Sequence, residues 1–127
     1  MDKKIVLLVD DDPDIAKMLK VRMEAEGYEF KHVGDGKGLL EILNIKKPDV
    51  ILLDIMLPGM DGYSVLREMR KNEKYVDIPV IILSAKEKKK VGDLFILEKI
   101  EFFIEKPFDT KDLLEKIRIS IGEKGSG

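Results

Sequence analysis

Short, continuous apolar runs are the clearest pattern along the chain. Four of them are rich in Val and Ile and do not alternate with polar residues, which is typical of parallel strands covered on both faces. A fifth, weaker run at Glu29–Val33 mixes polar and apolar residues, as edge strands often do. The pattern therefore predicts five strands. The four apolar runs are Ile5–Val9, Val50–Leu53, Val80–Leu83 and Phe102–Ile104.

Segments with helical periodicity lie between the predicted strands. Asp12-Pro13 predicts the cap and first residue of the first helix, and Gly27 predicts its end. Strict alternation of strands and helices with short connections implies a parallel sheet with helices on both faces. The other helices are expected from about Gly38 to Ile45, from Asp61-Gly62, within Glu87–Lys99, and after Pro107 with Asp109 as the N-cap. The predicted inner faces contain Ile15, Met18, Leu19, Met23, Val65, Leu66, Met69, Leu113, Leu114, Ile117 and Ile121.

Composition narrows the classes of function. The length of 127 residues predicts one domain, residues 1–121, and a flexible tail at 122–127. With 23 basic and 25 acidic residues the net charge is -2, so we expect no direct nucleic-acid partner. No apolar stretch approaches the roughly 18 residues of a membrane span, and the N-terminus has no signal-peptide layout, so the expected location is cytoplasmic, without membrane contact. The absence of cysteine and the single histidine, His32, exclude thiolate and His-based metal sites within one chain.

Polar side chains follow the predicted strands at their carboxyl ends, where open α/β sheets bind ligands. Neighbouring carboxylates need a cation, and a set of oxygen ligands selects Mg²⁺ or Mn²⁺. A lysine and a hydroxyl group suit phosphoryl oxygens, and an aspartate can act as a nucleophile. These residues therefore predict phosphoryl transfer onto an aspartate. They are Asp10, Asp11 and Asp12 after strand one, Asp54 after strand three, Ser84 after strand four and Lys106 after strand five.

Four motifs extend this interpretation to nearly the whole chain: VDDDP at 9–13, LLDIMLPGMDG at 52–62, IILSA at 81–85 and EKPF at 105–108. With them, the chain resembles the receiver domain of two-component response regulators, and is similar to the single-domain chemotaxis-type regulators. The resemblance covers residues 3 to about 121. It implies an α/β fold of the (βα)5 flavodoxin-like, doubly wound type, with a five-stranded parallel sheet of order 2-1-3-4-5. Lys99-Ile100 departs from the Gly-Ala that the family usually has before its last strand.

The resemblance also implies a role for each residue at the strand ends. Asp54 is expected to be the phosphoacceptor, and Ser84 and Lys106 are expected to contact the phosphoryl group. Asp12, in contrast, is interpreted as an N-cap in preference to a metal ligand. The implied Mg²⁺ ligands are Asp11 and Asp54 directly, Asp10 largely through water, and the backbone carbonyl of Met56.

The resemblance further implies a switch and two kinds of partner. Phe103 occupies the aromatic switch position and would move together with Ser84. Lys106-Pro107 matches the cis peptide of the family, while Pro58 and Gly62 match the turn after the phosphoacceptor. The implied donor is a sensor histidine kinase or a phosphotransfer protein. A downstream protein would bind the face formed by helix 4, strand 5 and helix 5.

Two alternative functions compete with this interpretation. An Asp-dependent phosphohydrolase would need an acid at the position of Met56, and a flavin carrier would need a phosphate loop where the three aspartates stand. The chain lacks both features, so a regulator that catalyses only its own phosphoryl transfer and dephosphorylation fits the sequence better than either alternative.

Two other features keep a simple structural interpretation beside a functional one. The apolar cluster Leu94–Leu97 fits a buried fourth helix and a partner surface equally well. His32 on the predicted edge strand is expected to be structural or exposed.

Overall fold

The computed structural model describes residues 3–57, 59, 62–84 and 100–122. Its five strands form one sheet of order β2-β1-β3-β4-β5, and every neighbouring pair is parallel. The predicted fold class and strand order are therefore confirmed. The strands are β1 (Ile5–Val9), β2 (Glu29–Val33), β3 (Val50–Asp54), β4 (Val80–Ser84) and β5 (Phe102–Glu105). The described helices are α1 (Pro13–Ala25), α2 (Gly36–Leu43), α3 (Gly62–Arg70) and the C-terminal helix (Thr110–Ile121).

Two hydrophobic cores lie on opposite faces of the sheet. Successive residues of a strand point to opposite faces, so β1 and β3 contribute side chains to both cores. One core packs against α2 and α3, and the other packs against α1 and the C-terminal helix. The helices thus cover both faces, as continuous apolar strands require. None of the described helices is long and apolar enough to cross a membrane.

Aspartate side chains begin three of the four described helices. The Asp12 carboxylate accepts hydrogen bonds from the backbone N–H groups of Asp14, at 2.9 Å, and Ile15, at 3.4 Å. Asp109 accepts from the N–H of Lys111 at 2.8 Å. Asp12 and Asp109 are therefore the N-caps that the sequence predicts. Asp35 is a third, because it accepts from Gly38 N–H at 2.7 Å and starts α2 two residues earlier than predicted.

One predicted inner-face residue of α1 is wrong. Met18 is 46% exposed, whereas Ala16, Leu19 and Met23 are buried. Each residue turns a helix by about 100°, which places Met18 roughly that far from Leu19, at the border of the buried face. The predicted helix within Glu87–Lys99, the cluster Leu94–Leu97, and the turn residues Pro58 and Asp61 lie outside the described residues.

Candidate functional site

The carboxyl edge of the sheet carries buried polar side chains. Asp54 and Ser84 extend β3 and β4 by one residue beyond the predicted apolar runs, and they pair with Leu83 and Glu105 on the next strand. Asp10, directly after β1, is 0% exposed, Asp54 is 5% exposed and Ser84 is 0% exposed. Within the part of the chain that the structure describes, these three are the buried polar residues. Burying such groups is costly unless they are paired, so their partners define what this edge can do.

Three carboxylates form a compact cluster at this edge. One oxygen from each of Asp10, Asp11 and Asp54 lies within 4.8 Å of the other two. Asp10 and Asp54 are buried, while Asp11 is exposed. Oxygen-only ligands open to solvent on one side suit Mg²⁺, which binds to a few carboxylates and keeps several waters. The chemistry of the cluster therefore fits a divalent cation.

The Lys106 ammonium joins two of these carboxylates. Its Nζ lies 2.6 Å from Asp10 Oδ2 and 3.0 Å from Asp54 Oδ2. The backbone of the lysine is held in register, because its N–H donates to the Ser84 carbonyl at 2.9 Å, and the following peptide bond to Pro107 is cis. Burial acts to lower the pKa of Lys106, but the hydrogen bonds and charges of Asp10 and Asp54 outweigh it and raise the pKa above 10.5. The site thus holds a permanent positive charge at neutral pH.

Backbone N–H groups fix the remaining carboxylate oxygens. Asp10 Oδ1 accepts from the N–H of Asp12 at 2.9 Å, and Asp54 Oδ1 accepts from the N–H of Met56 at 2.8 Å. Each buried carboxylate is therefore held through one oxygen by the chain and through the other by Lys106. Such hydrogen bonds to an anion are stronger than those between neutral groups, and they hold the two carboxylates in fixed orientations.

Two other predicted site residues, Phe103 and Met56, lie on β5 and two residues after β3. Phe103 is partly buried and packs against the core on the α2 and α3 side of the sheet. The Met56 side chain is 55% exposed. His32 was not assigned to the site from the sequence, yet its Nε2 lies 2.7 Å from the carbonyl oxygen of Asp10. The sequence signal that could have assigned His32 to the site is its position on the predicted strand next to β1.

Gly62 places the start of α3 against the end of β3. Its N–H donates to the Ile55 carbonyl at 3.1 Å. A Cβ built on Gly62 would lie 2.5 Å from the Cα of Ile55 and 3.1 Å from the carbonyl oxygen of Asp54. Only glycine therefore allows the helix to approach the backbone that carries Asp54 so closely.

We expect Gly62→Ala to lower the free energy of unfolding by about 2 kcal/mol. The added methyl group overlaps backbone, which must shift, and the gain in helix propensity of up to about 1 kcal/mol offsets only part of this cost. Urea unfolding at neutral pH measures the change. Gly34→Ala is the matched control, because its added Cβ meets nothing within 4 Å. Equal stability of the two variants would contradict the close approach.

The fold and the site together define a doubly wound α/β protein with an acidic edge whose carboxylates suit a divalent cation. The family model of the response regulator receiver domain matches residues 6–118. The chain therefore belongs to the response regulator receiver domain family, as the four sequence motifs predict.

Solved structures of receiver domains are similar over nearly the whole chain. The receiver domain of a Francisella response regulator is 33% identical, with a TM-score of 0.84, and the match covers 94% of this chain and 97% of that one. A receiver domain protein from Methanospirillum hungatei is 28% identical, with a TM-score of 0.86 and 94% of each chain covered. The receiver domain of a Pseudomonas aeruginosa sensor histidine kinase is 28% identical, with a TM-score of 0.85, covering 96% of this chain and 100% of that one. That last structure has a magnesium ion coordinated in its active-site cleft.

Proposed function

We propose that this receiver domain accepts a phosphoryl group on Asp54 from a histidine kinase or a phosphotransfer protein, with the help of Mg²⁺. One observation carries the proposal: Asp54 lies within a carboxylate cluster and is bonded to the partly buried ammonium of Lys106. A group transferred to Asp54 would meet a cation site on one side and a fixed positive charge on the other. Positive charge placed in advance around a transferring phosphoryl group is the main source of catalysis in such reactions.

The cation would be held by the carboxylates of Asp10, Asp11 and Asp54 and by the backbone carbonyl of Met56. Mg²⁺ fits this all-oxygen set best, and Mn²⁺ is its closest substitute. When bound, the ion would neutralise charge on the phosphoryl oxygens. The carboxylate cluster and the magnesium ion of the Pseudomonas aeruginosa receiver domain support this assignment.

In the transfer, a carboxylate oxygen of Asp54 would attack the phosphorus atom of a phosphohistidine. The P–N bond breaks, the imidazole leaves with the bonding electron pair and takes up a proton, and Asp54 becomes an acyl phosphate. Lys106 would then pair with the phosphoryl oxygens in place of the free carboxylate. Hydrolysis of the acyl phosphate returns Asp54 and inorganic phosphate, so the chain turns over only its own modification and acts as a regulator.

The signal would leave the site through Ser84 and Phe103. These residues lie on adjacent parallel strands, because Ser84 ends β4 and Phe103 pairs with Ile82 two residues earlier on that strand. A phosphoryl group on Asp54 would attract the Ser84 hydroxyl and give Phe103 room to move. The surface that changes is expected to include β5, the C-terminal helix and the predicted fourth helix, and to bind a downstream protein.

Intact-mass analysis with a small acyl phosphodonor such as acetyl phosphate tests the proposal. In Mg²⁺ we expect the mass to rise by one phosphoryl group, and in excess chelator we expect no change. The metal requirement follows from the carboxylate cluster, since an incoming phosphoryl group is repelled by three anions without a cation. Phosphorylation that proceeds equally well without metal would refute the mechanism. Continued hydrolysis of unrelated phosphoesters would favour the phosphohydrolase instead.

A further inference from the structure

A histidine on the neighbouring strand contacts the backbone of the acidic pair. His32 lies on β2 opposite Leu8 of β1, two residues before Asp10. Its Nε2 is 2.7 Å from the Asp10 carbonyl oxygen. A carbonyl oxygen only accepts hydrogen bonds, so Nε2 must carry the hydrogen and donate it. The side chain thus bonds a carbonyl that lies just beyond the end of β1.

This bond adds to three others that hold the same residue. The Asp10 N–H donates to the Val33 carbonyl at 3.1 Å, and its carboxylate accepts from Asp12 N–H and from Lys106. With His32 on the carbonyl, every polar group of Asp10 has a partner within the chain. Two of the four partners come from β2, so the edge strand fixes the backbone at this point.

The bonded carbonyl belongs to the peptide unit that joins the two acids. A peptide unit is planar, so fixing its oxygen also fixes the direction in which the Asp11 backbone continues. Asp11 is exposed, and one of its carboxylate oxygens lies within 4.8 Å of an oxygen of Asp10 and of Asp54. Without the imidazole, this peptide could rotate and the Asp11 carboxylate would sample directions away from Asp54.

We propose that His32 is a positioning residue for the cation site: its Nε2–H holds the Asp10 carbonyl and so aims the Asp11 carboxylate at the cluster. The role rests on the proposed function, because it matters only if the carboxylates bind a divalent cation. His32 acts through the backbone of Asp10 and touches neither the phosphoryl group nor the ion. Groups that orient metal ligands in this indirect way commonly change metal affinity by about 10- to 100-fold.

The tautomer of the imidazole is the first test. His32 is the single histidine of the chain, so long-range ¹H–¹⁵N correlation spectra report on this ring alone. We expect the neutral ring to carry its hydrogen on Nε2. A ring with its hydrogen on Nδ1 would overturn the proposal, because it has no donor for the Asp10 carbonyl.

Calorimetric titration with Mg²⁺ is the second test. We expect His32→Phe, which keeps a planar ring but has no donor, to weaken Mg²⁺ binding by about tenfold. Phosphorylation by acetyl phosphate should slow at limiting Mg²⁺ and approach the wild-type rate at saturating Mg²⁺. His32→Gln retains an N–H donor and should recover most of the affinity. Lys20→Gln is the control, because Lys20 borders the same cavity of about 390 Å³ between α1 and β2 as His32.

Two outcomes of the Mg²⁺ titrations would also overturn the positioning role. One is a His32→Phe variant that binds Mg²⁺ as tightly as the wild-type chain. The other is an equal loss of Mg²⁺ affinity in His32→Phe and His32→Gln that is matched by an equal fall in their thermal unfolding midpoints. That result would show a purely structural effect. A failure of the proposed function would look different, since the wild-type chain itself would then neither bind Mg²⁺ nor gain a phosphoryl group.

Discussion

Asp54→Asn is expected to abolish phosphorylation of the chain by acetyl phosphate in Mg²⁺. The amide has no anionic oxygen to attack phosphorus, and an acyl phosphate cannot form on it. The loss should therefore be complete, not a reduced rate, and intact-mass analysis shows it directly. Circular dichroism before and after the substitution checks that the variant remains folded.

Asp12→Asn is the matched control for this prediction. It removes one negative charge from the same acidic edge, but asparagine caps helices as well as aspartate does, so α1 keeps its first turn. We expect the Asp12 variant to gain one phosphoryl group as the wild-type chain does. A mass gain in Asp54→Asn that matches the wild-type gain would mean that another residue is the acceptor.

The strands could be predicted well from the sequence because a strand buried on both faces is a short, continuous apolar run. All five predicted starts agree with the structure, including that of the mixed strand at Glu29. The ends of β3, β4 and β5 were predicted one residue early, at Leu53, Leu83 and Ile104. Hydrophobic pattern reports the environment of the side chain, whereas the ladder of backbone hydrogen bonds continues regardless of side-chain polarity. The functional residues Asp54 and Ser84 stand where these two criteria differ.

The partners of the site residues were harder to predict than the residues themselves. Topology alone implies that the ends of neighbouring parallel strands meet, which is enough to group Asp10 with Asp54. The bridge from Lys106 to both carboxylates depends on the direction of a long, flexible side chain. The bond from His32 depends on the register of β2 against β1, which an edge strand of mixed polarity specifies weakly.

Lys106→Met is expected to lower the free energy of unfolding of the metal-free protein by about 3 kcal/mol. Methionine has a similar length but no charge, so the buried Oδ2 atoms of Asp10 and Asp54 lose their shared donor. Removing one partner of a buried ion pair typically costs about 3–5 kcal/mol, and the partial exposure of the lysine places this site at the lower end. Urea unfolding in chelator at pH 7 measures the difference.

The pH dependence of that difference has a definite sign. The pKa of Lys106 is raised in the folded state, so the ammonium contributes its full stabilisation below the ordinary lysine value of 10.5. The contribution is lost as the pH rises through the raised folded-state pKa. The difference in free energy of unfolding between wild type and variant should therefore stay constant from neutral pH up to about the ordinary lysine pKa of 10.5, and shrink only above it.

Magnesium should restore part of the stability that Lys106→Met removes. The ion and the ammonium both neutralise the same carboxylates, so the variant should bind Mg²⁺ more tightly than the wild-type chain and be stabilised more by a given concentration. Lys71→Met is the matched control: its lysine is 74% exposed and pairs with Glu68 at 3.6 Å, so we expect less than about 1 kcal/mol of destabilisation and no added response to Mg²⁺. Equal stabilisation of all three proteins by Mg²⁺ would show that the cation does not bind at the carboxylates that Lys106 joins.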